Sequence, residues 1–264
     1  MNRISRRSLL ASASLAASAR GAGQSATQSA TRKLKVIIGG GHPGDPEYGC
    51  GGAVSRYAAL GHDVALLYLN RGDWGDVGAE VRMAEAKKAC EILKARPLYA
   101  GQRNGHAIVD PEHYADFRKI LDAERPDVLI TQWPIDNHAD HRAIFALVYD
   151  AWIRMERKAA LYFYEVSDGE DTQMFTPSDY VDIAAVESVK RAACYAHATQ
   201  TPDRYYALQT AVSRFRGFES GTKLAEGFVR HAQSRGGLLP GDLEGAGVAA
   251  TSVPKKWSLA QPSD

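Results

Sequence analysis

Long apolar runs are missing from this chain of 264 residues. No stretch approaches the roughly 18 consecutive apolar residues that a membrane-spanning helix needs, so we expect no stable membrane insertion. Hydrophobic residues nevertheless make up 45% of the chain. That content is sufficient for a sizeable buried core within one larger domain.

An excess of charge of one sign is also absent. The 32 lysines and arginines nearly balance the 31 aspartates and glutamates. No basic patch of the kind that binds nucleic acid stands out, so we expect no nucleic-acid partner. The chain has only three cysteines, and their spacing is not that of a metal site. A metal centre in this protein would therefore need ligands other than thiolates.

The first 32 residues differ in composition from the rest. Arg6 and Arg7 precede a stretch rich in alanine and serine that ends in Ala-Ser-Ala at residues 17–19. This pattern predicts a twin-arginine export signal and a periplasmic or extracellular location; the alternative is a chance basic start. Cleavage after residue 19 would lower the formal charge from +1 to −2. Residues 20–32 are small and polar, typical of a flexible linker.

Two apolar, β-branched runs each end in a polar cluster. Residues 34–38 predict a buried strand, and a glycine-rich segment containing His42 follows it. Residues 127–131 predict another strand, and His138 lies shortly after it. Alternating strands and helices imply a mainly parallel sheet, which binds ligands at the carboxyl ends of its strands. In the common strand order 3-2-1-4-5 the first and fourth strands are neighbours, so the two clusters would meet.

The residue types in the two clusters predict a metal site. Imidazole and carboxylate oxygen suit zinc, and a catalytic zinc keeps three protein ligands and one open position. His42, Asp45 and His141 would supply that set. Taken singly, His-Pro after a strand is typical of a turn, and His-x-x-His also occurs on solvated helix faces. The conjunction of both clusters at one edge of the sheet is what indicates a metal.

The two clusters resemble the motifs of the LmbE-like or PIG-L family of zinc-dependent deacetylases. The family motif His-Pro-Asp-Asp-Glu before Gly-Gly corresponds to residues 42–52, and the motif His-Pro-Asp-His corresponds to residues 138–141. The resemblance covers about residues 34–230. It implies an α/β, Rossmann-like three-layer fold with a mainly parallel sheet. We expect the deacetylase domain at residues 33–235 and a loosely structured tail at residues 236–264.

The resemblance implies a chemistry as well as a fold. Family members remove an acetyl or similar acyl group from N-acylated sugars or related amides, with zinc-bound hydroxide as the nucleophile. By this resemblance His42, Asp45 and His141 bind Zn2+ or another divalent metal, and His138 is the general acid that protonates the leaving amine. The expected partner is a small-molecule or glycan substrate, and a homo-oligomer is compatible with the sequence.

One departure from the family concerns the general base. Gly44 stands where the family usually places an aspartate that deprotonates the zinc-bound water. Three explanations are open: a base supplied by another residue, hydroxide formed by metal acidity alone, or a metal- or carbohydrate-binding protein without turnover. We favour a relocated base. The nearby carboxylates are those of Glu47, Asp73, Asp136 and Asp140.

These four carboxylates have different interpretations. We interpret Asp140 as the residue that orients His138, as carboxylates behind metal sites do. Glu47 lies in the first turn of the next predicted helix, where a negative charge favours the helix dipole. Asp73 and Asp136 remain as substitutes for the missing base.

Further residues are candidates for contacting the substrate. Asn104 replaces a family aspartate that contacts sugar hydroxyls, and Arg82 matches a helix arginine that contacts substrate in some members. Arg82 is equally interpreted as an exposed partner of Glu85, three residues on. His197 either reaches the pocket or is a capping or core histidine. Glu47 is a further candidate contact.

A rival hypothesis comes from the glycines at positions 39, 41 and 44, which spell G-x-G-x-x-G after a strand. With Asp73 as a ribose-binding acid, they would indicate a dinucleotide-binding oxidoreductase. A pyrophosphate needs free backbone N–H groups at the helix start, and Pro43 and Pro46 remove two of them. The rival hypothesis also leaves both histidine clusters unexplained.

Overall fold

The computed structural model describes residues 32–245. The predicted export signal and all but the last residue of the predicted linker fall in residues 1–31, outside the described residues, as do residues 246–264. The described helices and strands all belong to the compact unit that starts at Lys33.

Within the described residues, seven strands form one sheet in the order β3-β2-β1-β4-β5-β7-β6. The strands are β1 (Lys35–Gly40), β2 (Asp63–Asn70), β3 (Arg96–Gln102), β4 (Val128–Gln132), β5 (Ala160–Tyr164), β6 (Asp179–Asp182) and β7 (Ala225–Arg230). Strands β1 to β5 pair in parallel, and β7 runs antiparallel to both β5 and β6. The predicted parallel sheet and the pairing of β1 with β4 are confirmed.

Helices cover both faces of this sheet. They are α1 (Asp45–Ala59), α2 (Ala79–Leu93), α3 (Pro111–Glu124), α4 (Ala139–Arg154), α5 (Glu187–Tyr195), α6 (Pro202–Ser220) and α7 (Pro240–Gly245). Alternate residues of β1 point to opposite faces: Ile38 joins the core under α1, α2 and α5, and Ile37 joins the core under α3 and α4. The expected three-layer architecture is confirmed. No helix of residues 32–245 is long and apolar enough to cross a membrane.

Helix α1 lies very close to the sheet because glycines face it. A Cβ atom on Gly49 would lie 2.3 Å from the Tyr164 ring, so only glycine fits there. A buried ion pair also holds the helix: Lys190 Nζ lies 2.7 Å from Glu226 Oε1, and the Glu226 carboxylate accepts the N–H groups of Gly52 and Ala53. The helix start that carries Asp45 is thereby fixed beside the ends of β1 and β4.

The described chain continues past residue 235, where we expected the domain to end. Leu239 is only 3% exposed and packs into the core under α1. Helix α7 follows, and Glu244 at its end pairs with Arg56 of α1. Residues 236–245 thus contribute to the packing of the domain.

Candidate metal centre and active site

Four side chains meet at the carboxyl ends of β1 and β4. Asp45 Oδ2 lies 3.2 Å from both His42 Nδ1 and His141 Nε2. The two imidazole nitrogens lie 3.3 Å from each other. The ring centroid of His138 lies 4.5 Å from that of His42 and 4.7 Å from that of His141. The structure therefore brings the two sequence motifs together in space.

The loops that carry these side chains are tied to each other by Gln132, the last residue of β4. Its Oε1 accepts the N–H of Gly41 at 2.9 Å, and its Nε2 donates to Asp45 Oδ2 at 3.2 Å. The N–H of His42 donates to the same Asp45 oxygen at 2.8 Å. Gly41 leaves room for the cluster, since a Cβ atom there would lie 3.0 Å from the His141 ring.

His42 and His141 each place one imidazole nitrogen in the cluster, and the other nitrogen of each ring faces a buried carboxylate. His141 Nδ1 lies 3.0 Å from Asp136 Oδ1, and His42 Nε2 lies 3.2 Å from Asp140 Oδ2. Both carboxylate side chains are fully buried. Carboxylates in this position fix the orientation and tautomer of metal-binding histidines. His42 and His141 are therefore held as metal ligands commonly are.

Two expectations are corrected by these contacts. Asp136 was a candidate base, but its buried carboxylate is occupied by His141 and by the N–H of His138, which donates at 2.8 Å. We expected Asp140 to orient His138, but its carboxylate contacts His42 instead. Only the backbone N–H of Asp140 reaches His138, at the Nδ1 atom. The error arose because His42 is distant in sequence and adjacent only in the fold.

Asp140 also joins the loops of two other strands to the site. Its Oδ2 accepts Asn70 Nδ2 at 3.0 Å and the N–H of Gly105 at 2.7 Å. Burial raises the pKa of Asp140, but the hydrogen bonds from His42 and Gly105 outweigh burial and lower it. The carboxylate is enclosed, its oxygens are occupied by these donors, and its lowered pKa makes it a weak proton acceptor, so Asp140 is a buried anchor and does not suit the role of the missing base.

The charges around the imidazoles favour a bound cation. Burial lowers the pKa of His141, but the carboxylates of Asp45 and Asp136 outweigh burial and raise it to about 10. Burial raises the pKa of Asp45, but His141 and His42 hold it well below its ordinary value. A position that stabilises a proton between imidazole and carboxylate also stabilises a metal cation.

The donor atoms fit a three-ligand metal site in two ways. One nitrogen from each of His42, His138 and His141 lies within 4.8 Å of the other two. Asp45 Oδ2 lies even closer to His42 and His141. Either Asp45 or His138 can therefore complete the set, and both combinations are of the type that binds zinc.

A cavity of about 430 Å³ opens beside the cluster. Its lining includes the two expected substrate contacts Arg82 and Asn104, together with Trp74, Asp171 and Tyr205. A larger cavity of about 510 Å³ lies between β3 and α3, and none of the four clustered side chains lines it. The smaller cavity is therefore the one that opens onto the four clustered side chains.

Arg82 is buried, whereas one interpretation of the sequence expected an exposed side chain. It pairs with Glu85 at 2.6 Å, as expected, but it is only 1% exposed. Its Nη2 donates to the carbonyl of Pro43 at 2.5 Å, and its Nε donates to the carbonyl of Gly72. Arg82 thus supports the loop that carries His42 as well as lining the cavity.

Asn104 lines the cavity, whereas Asp73 lies just outside it. Asn104 Nδ2 donates to the carbonyl of Asp73 at 2.7 Å. Asp73 is exposed, and the cavity is lined by its neighbours Gly72 and Trp74 but not by Asp73 itself. This placement removes the reason for considering Asp73 as the base.

Glu47 and His197 form a buried pair beneath the cavity. Both side chains have no exposed surface, and neither lines the cavity. Glu47 Oε1 lies 2.9 Å from His197 Nε2 and accepts the Tyr68 hydroxyl at 2.7 Å. Glu47 Oε2 accepts the N–H of Gly44. The structure does not bring either side chain to the cavity: Glu47 lies in the first turn of α1 and His197 is enclosed in the core, the positions that the alternative interpretations expect.

The backbone at Gly44 explains why glycine stands there. Its φ of 115° and ψ of −40° are a conformation that side-chain-bearing residues rarely adopt. A Cβ atom would point towards Tyr48 and His197, at 3.7 and 3.9 Å from their nearest ring atoms. The nearest neighbours of a side chain at this position would therefore be Tyr48 and His197.

Sequence reasoning missed several cavity residues, among them Trp74, Asp171 and Tyr205. Asp171 lies in the connection between β5 and β6. The position of that connection was a usable signal, because β5 neighbours β4 and parallel sheets bind ligands at the carboxyl ends of their strands. Trp74 and Tyr205 belong to no motif, and only the fold brings them to the cavity.

Comparison with known proteins identifies the family. Residues 37–152 match PIG-L, the GlcNAc-PI de-N-acetylase family. The uncharacterized deacetylase YaiS of Escherichia coli (strain K12) is 30% identical over 125 residues, which are 44% of this chain and 67% of that protein. The chain belongs to the PIG-L family. The resemblance predicted from the two motifs is thus confirmed, and deacetylase relatives support a hydrolytic enzyme.

Solved structures agree with this assignment. The conserved protein TT1542 from Thermus thermophilus is 30% identical, with a TM-score of 0.66 over 77% of this chain and all of that one. N,N'-diacetylchitobiose deacetylase from Pyrococcus horikoshii shares the fold at 21% identity, with a TM-score of 0.66 over 75% of this chain and 84% of that one. The PIG-L assignment, rather than a dinucleotide-binding fold, accounts for the glycines after β1.

Proposed function

We propose that this PIG-L protein is a zinc-dependent hydrolase that removes an acetyl or similar acyl group from an N-acylated sugar or related amide. The observation that carries the proposal is the convergence of His42, Asp45, His138 and His141 beside an open cavity. Zinc, or another divalent metal, would polarise the amide carbonyl and activate a water molecule near neutral pH when bound there.

The chain's own residues divide the remaining work. His42, Asp45 and His141 would hold the metal. The buried carboxylates that contact His42 and His141 support this role for the two histidines. His138 caps the start of α4 and accepts the N–H of Asp140 at Nδ1. If the ring is neutral, its proton is therefore on Nε2. To protonate the departing amine, His138 would first take up a second proton, and the imidazolium would then donate it, which is the usual task of a histidine general acid.

The cavity mouth supports a sugar ring as the substrate. Trp74 is 76% exposed and lines the cavity. Its tight turn is closed by a pair of backbone hydrogen bonds with Val77, of 3.0 and 2.9 Å. An exposed aromatic face near polar groups such as Arg82 and Asn104 suits a ring that carries both C–H and hydroxyl groups.

The direct experiment measures acetate release together with metal content. Purified protein would be assayed with N-acetylglucosamine, N,N'-diacetylchitobiose and other N-acetylated glycans before metal removal, after it, and after zinc is restored. We expect release that disappears with the metal and returns with zinc. His106→Ala is the matched control, since the His106 side chain is exposed and lines the other cavity.

A second candidate function is favoured by Gly44. In this second hypothesis, the protein lacks a general base because it has no carboxylate at position 44, and it binds a metal or a carbohydrate without turnover. Zinc-loaded protein that binds these sugars, measured by calorimetry, but releases no acyl group from any of them would replace the hydrolase proposal with this one.

We also propose export by the twin-arginine route to the periplasm or the cell exterior. The proposal rests on Arg6 and Arg7, which lie outside the described residues. Replacing both with lysine in the full chain should retain the protein in the cytoplasm, as measured by cell fractionation. Unchanged abundance outside the cytoplasm would contradict the assignment.

A further inference from the structure

The cavity contains one carboxylate whose task is unassigned. Among the described residues that line it, only Asp45 and Asp171 carry carboxylates. Asp45 is engaged with His42, His141 and Gln132. We propose that Asp171 is the general base of this enzyme and takes over the task that most relatives give to an aspartate at position 44. This inference rests on the proposed hydrolase function.

The backbone of Asp171 is attached directly to the segment that carries His138. The carbonyl of Asp171 accepts the N–H of Asn137 at 2.9 Å. The Asn137 side chain donates in return to the carbonyl of Glu170 at 2.8 Å. Because Asn137 immediately precedes His138, these two short contacts fix the spacing between the backbones of His138 and Asp171.

The residue after Asp171 is attached to the metal cluster. Thr172 Oγ1 lies 3.0 Å from Asp136 Oδ2, and the other Asp136 oxygen holds His141. Thr172 Oγ1 also accepts the N–H of Val166 at 3.0 Å. One buried carboxylate therefore positions both a metal-binding imidazole and the neighbour of Asp171.

The start of the same connection is held from the other side. Arg216 of α6 forms a buried, two-pronged ion pair with Glu165, both contacts being 2.7 Å, and it reaches Asp168 at 3.2 Å. The connection is thus anchored at Glu165, Asp168 and Thr172, with Asp171 between the last two. A rigid position is what general-base catalysis requires, because the acceptor must lie within hydrogen-bond reach of the water.

The surroundings of Asp171 suit a proton acceptor. The side chain is half-buried. Burial raises its pKa, and the charges of Asp45 and Asp136 add to that effect against the opposing influence of His141. A carboxylate with a raised pKa accepts protons more readily near neutral pH. The other candidates lack this combination of access and surroundings, because Asp136 and Asp140 are enclosed and Asp73 does not line the cavity.

The proposed step balances without a further reactant. The oxygen of a water molecule bonds to the carbonyl carbon of the substrate while one of its protons passes to Asp171. The carbon–nitrogen bond then breaks as the imidazolium form of His138 gives a proton to the nitrogen and becomes neutral, and the products are a carboxylic acid and an amine. Asp171 releases its proton to solvent through the open cavity, and His138 regains one from solvent.

The test compares Asp171→Asn with Glu170→Gln. Both variants remove one negative charge from the same connection, but Glu170 faces the surface and pairs there with Arg204. For Asp171→Asn we expect kcat to fall by about 10²-fold or more, with KM changed less than about threefold by the same reasoning and metal content unchanged. Glu170→Gln should stay close to the unaltered enzyme, and Asp171→Glu should recover part of the lost kcat.

A readout independent of turnover uses protein loaded with Co2+ in place of zinc. Its visible absorption changes with pH as a proton leaves the site. Asp171→Asn should lower the midpoint of that change, because a nearby carboxylate opposes proton loss. Glu170→Gln should leave it in place. This readout remains available if the unaltered protein proves not to be a hydrolase, so failure of the proposed function is distinguishable from failure of this inference.

Three results would overturn the role of Asp171. The first is a kcat for Asp171→Asn equal to that of Glu170→Gln. The second is a folded Asp171→Asn protein that no longer holds metal, which would make Asp171 a ligand. The third is an absorption midpoint that does not move between the two variants.

Discussion

His141 and Trp74 line the same cavity, yet 3% of His141 is exposed and 76% of Trp74. The imidazole of His141 is held between the carboxylates of Asp45 and Asp136, of which that of Asp136 is fully buried, whereas Trp74 is positioned by a backbone turn. The contrast indicates that the candidate metal ligands are fixed by a network of ion pairs and hydrogen bonds, while Trp74 at the cavity mouth lies outside that network.

The largest expected effect breaks this network itself. His141→Ala should lose most of the bound metal, because two remaining ligands do not close a zinc site. His138→Ala should keep the metal and lose turnover. Metal content by mass spectrometry and folding by circular dichroism would be measured for both, with His106→Ala as the control. Folded but metal-free His138→Ala would show instead that the three histidines are the ligands.

A smaller effect is expected when a supporting carboxylate is changed. Asp140→Asn should weaken metal binding by about 10- to 100-fold, since the charge behind His42 increases its strength as a ligand. Competition with a chromogenic chelator measures the affinity. An affinity within twofold of the unaltered protein would mean that Asp140 only joins the loops of β2 and β3 to the site.

A substitution at the cavity mouth should weaken substrate binding and leave kcat and metal content nearly unchanged. Trp74→Ala should raise KM for a chitooligosaccharide by about 2- to 10-fold, the range expected for one aromatic contact of 0.5–1.5 kcal/mol. Metal content and kcat should change little. Val81→Ala is the control, because Val81 is also an exposed apolar side chain but does not line the cavity. Equal KM values for both variants would remove Trp74 from substrate binding.

The smallest effect is expected on stability, at Glu85, which pairs with the cavity residue Arg82. Burial raises the pKa of Glu85, but hydrogen bonds from Thr199 and Arg82 outweigh it and lower the pKa below its ordinary 4.5. A lowered folded-state pKa stabilises the fold above pH 4.5, and this contribution is lost as the pH falls through the folded-state value. Glu85→Gln should therefore lower the free energy of unfolding by about 1 kcal/mol near pH 7.

Urea unfolding at neutral and acid pH tests whether the ionised carboxylate of Glu85 stabilises the fold. The difference between Glu85→Gln and the unaltered protein should narrow as the pH falls below about 4. The control is Glu91→Gln, whose surface pair with Lys87 is 4.0 Å long and should contribute little. A difference that stays constant with pH would mean that the charge of Glu85 does not contribute to stability.

The parts of the site that were predictable lie immediately after strands. His42, Asp45, His138 and His141 were found because each cluster is short and its strand is recognisable from a run of apolar residues. The parts that were missed or misassigned depend on residues that are far apart in sequence. The partner of Asp140 is His42, and Asp171 reaches the cavity only because β5 lies next to β4.

The sequence by itself determined the parallel α/β architecture, the family, and the four side chains that meet at the ends of β1 and β4. Those features follow from local periodicity and short motifs, which the chain carries wherever it folds. Only the tertiary structure decided that Glu47 and His197 are enclosed, that Gly44 has a positive φ, and that Asp171 faces the cavity. Burial and hydrogen bonding between distant segments set these roles, because the same residue types occur both in cores and in active sites.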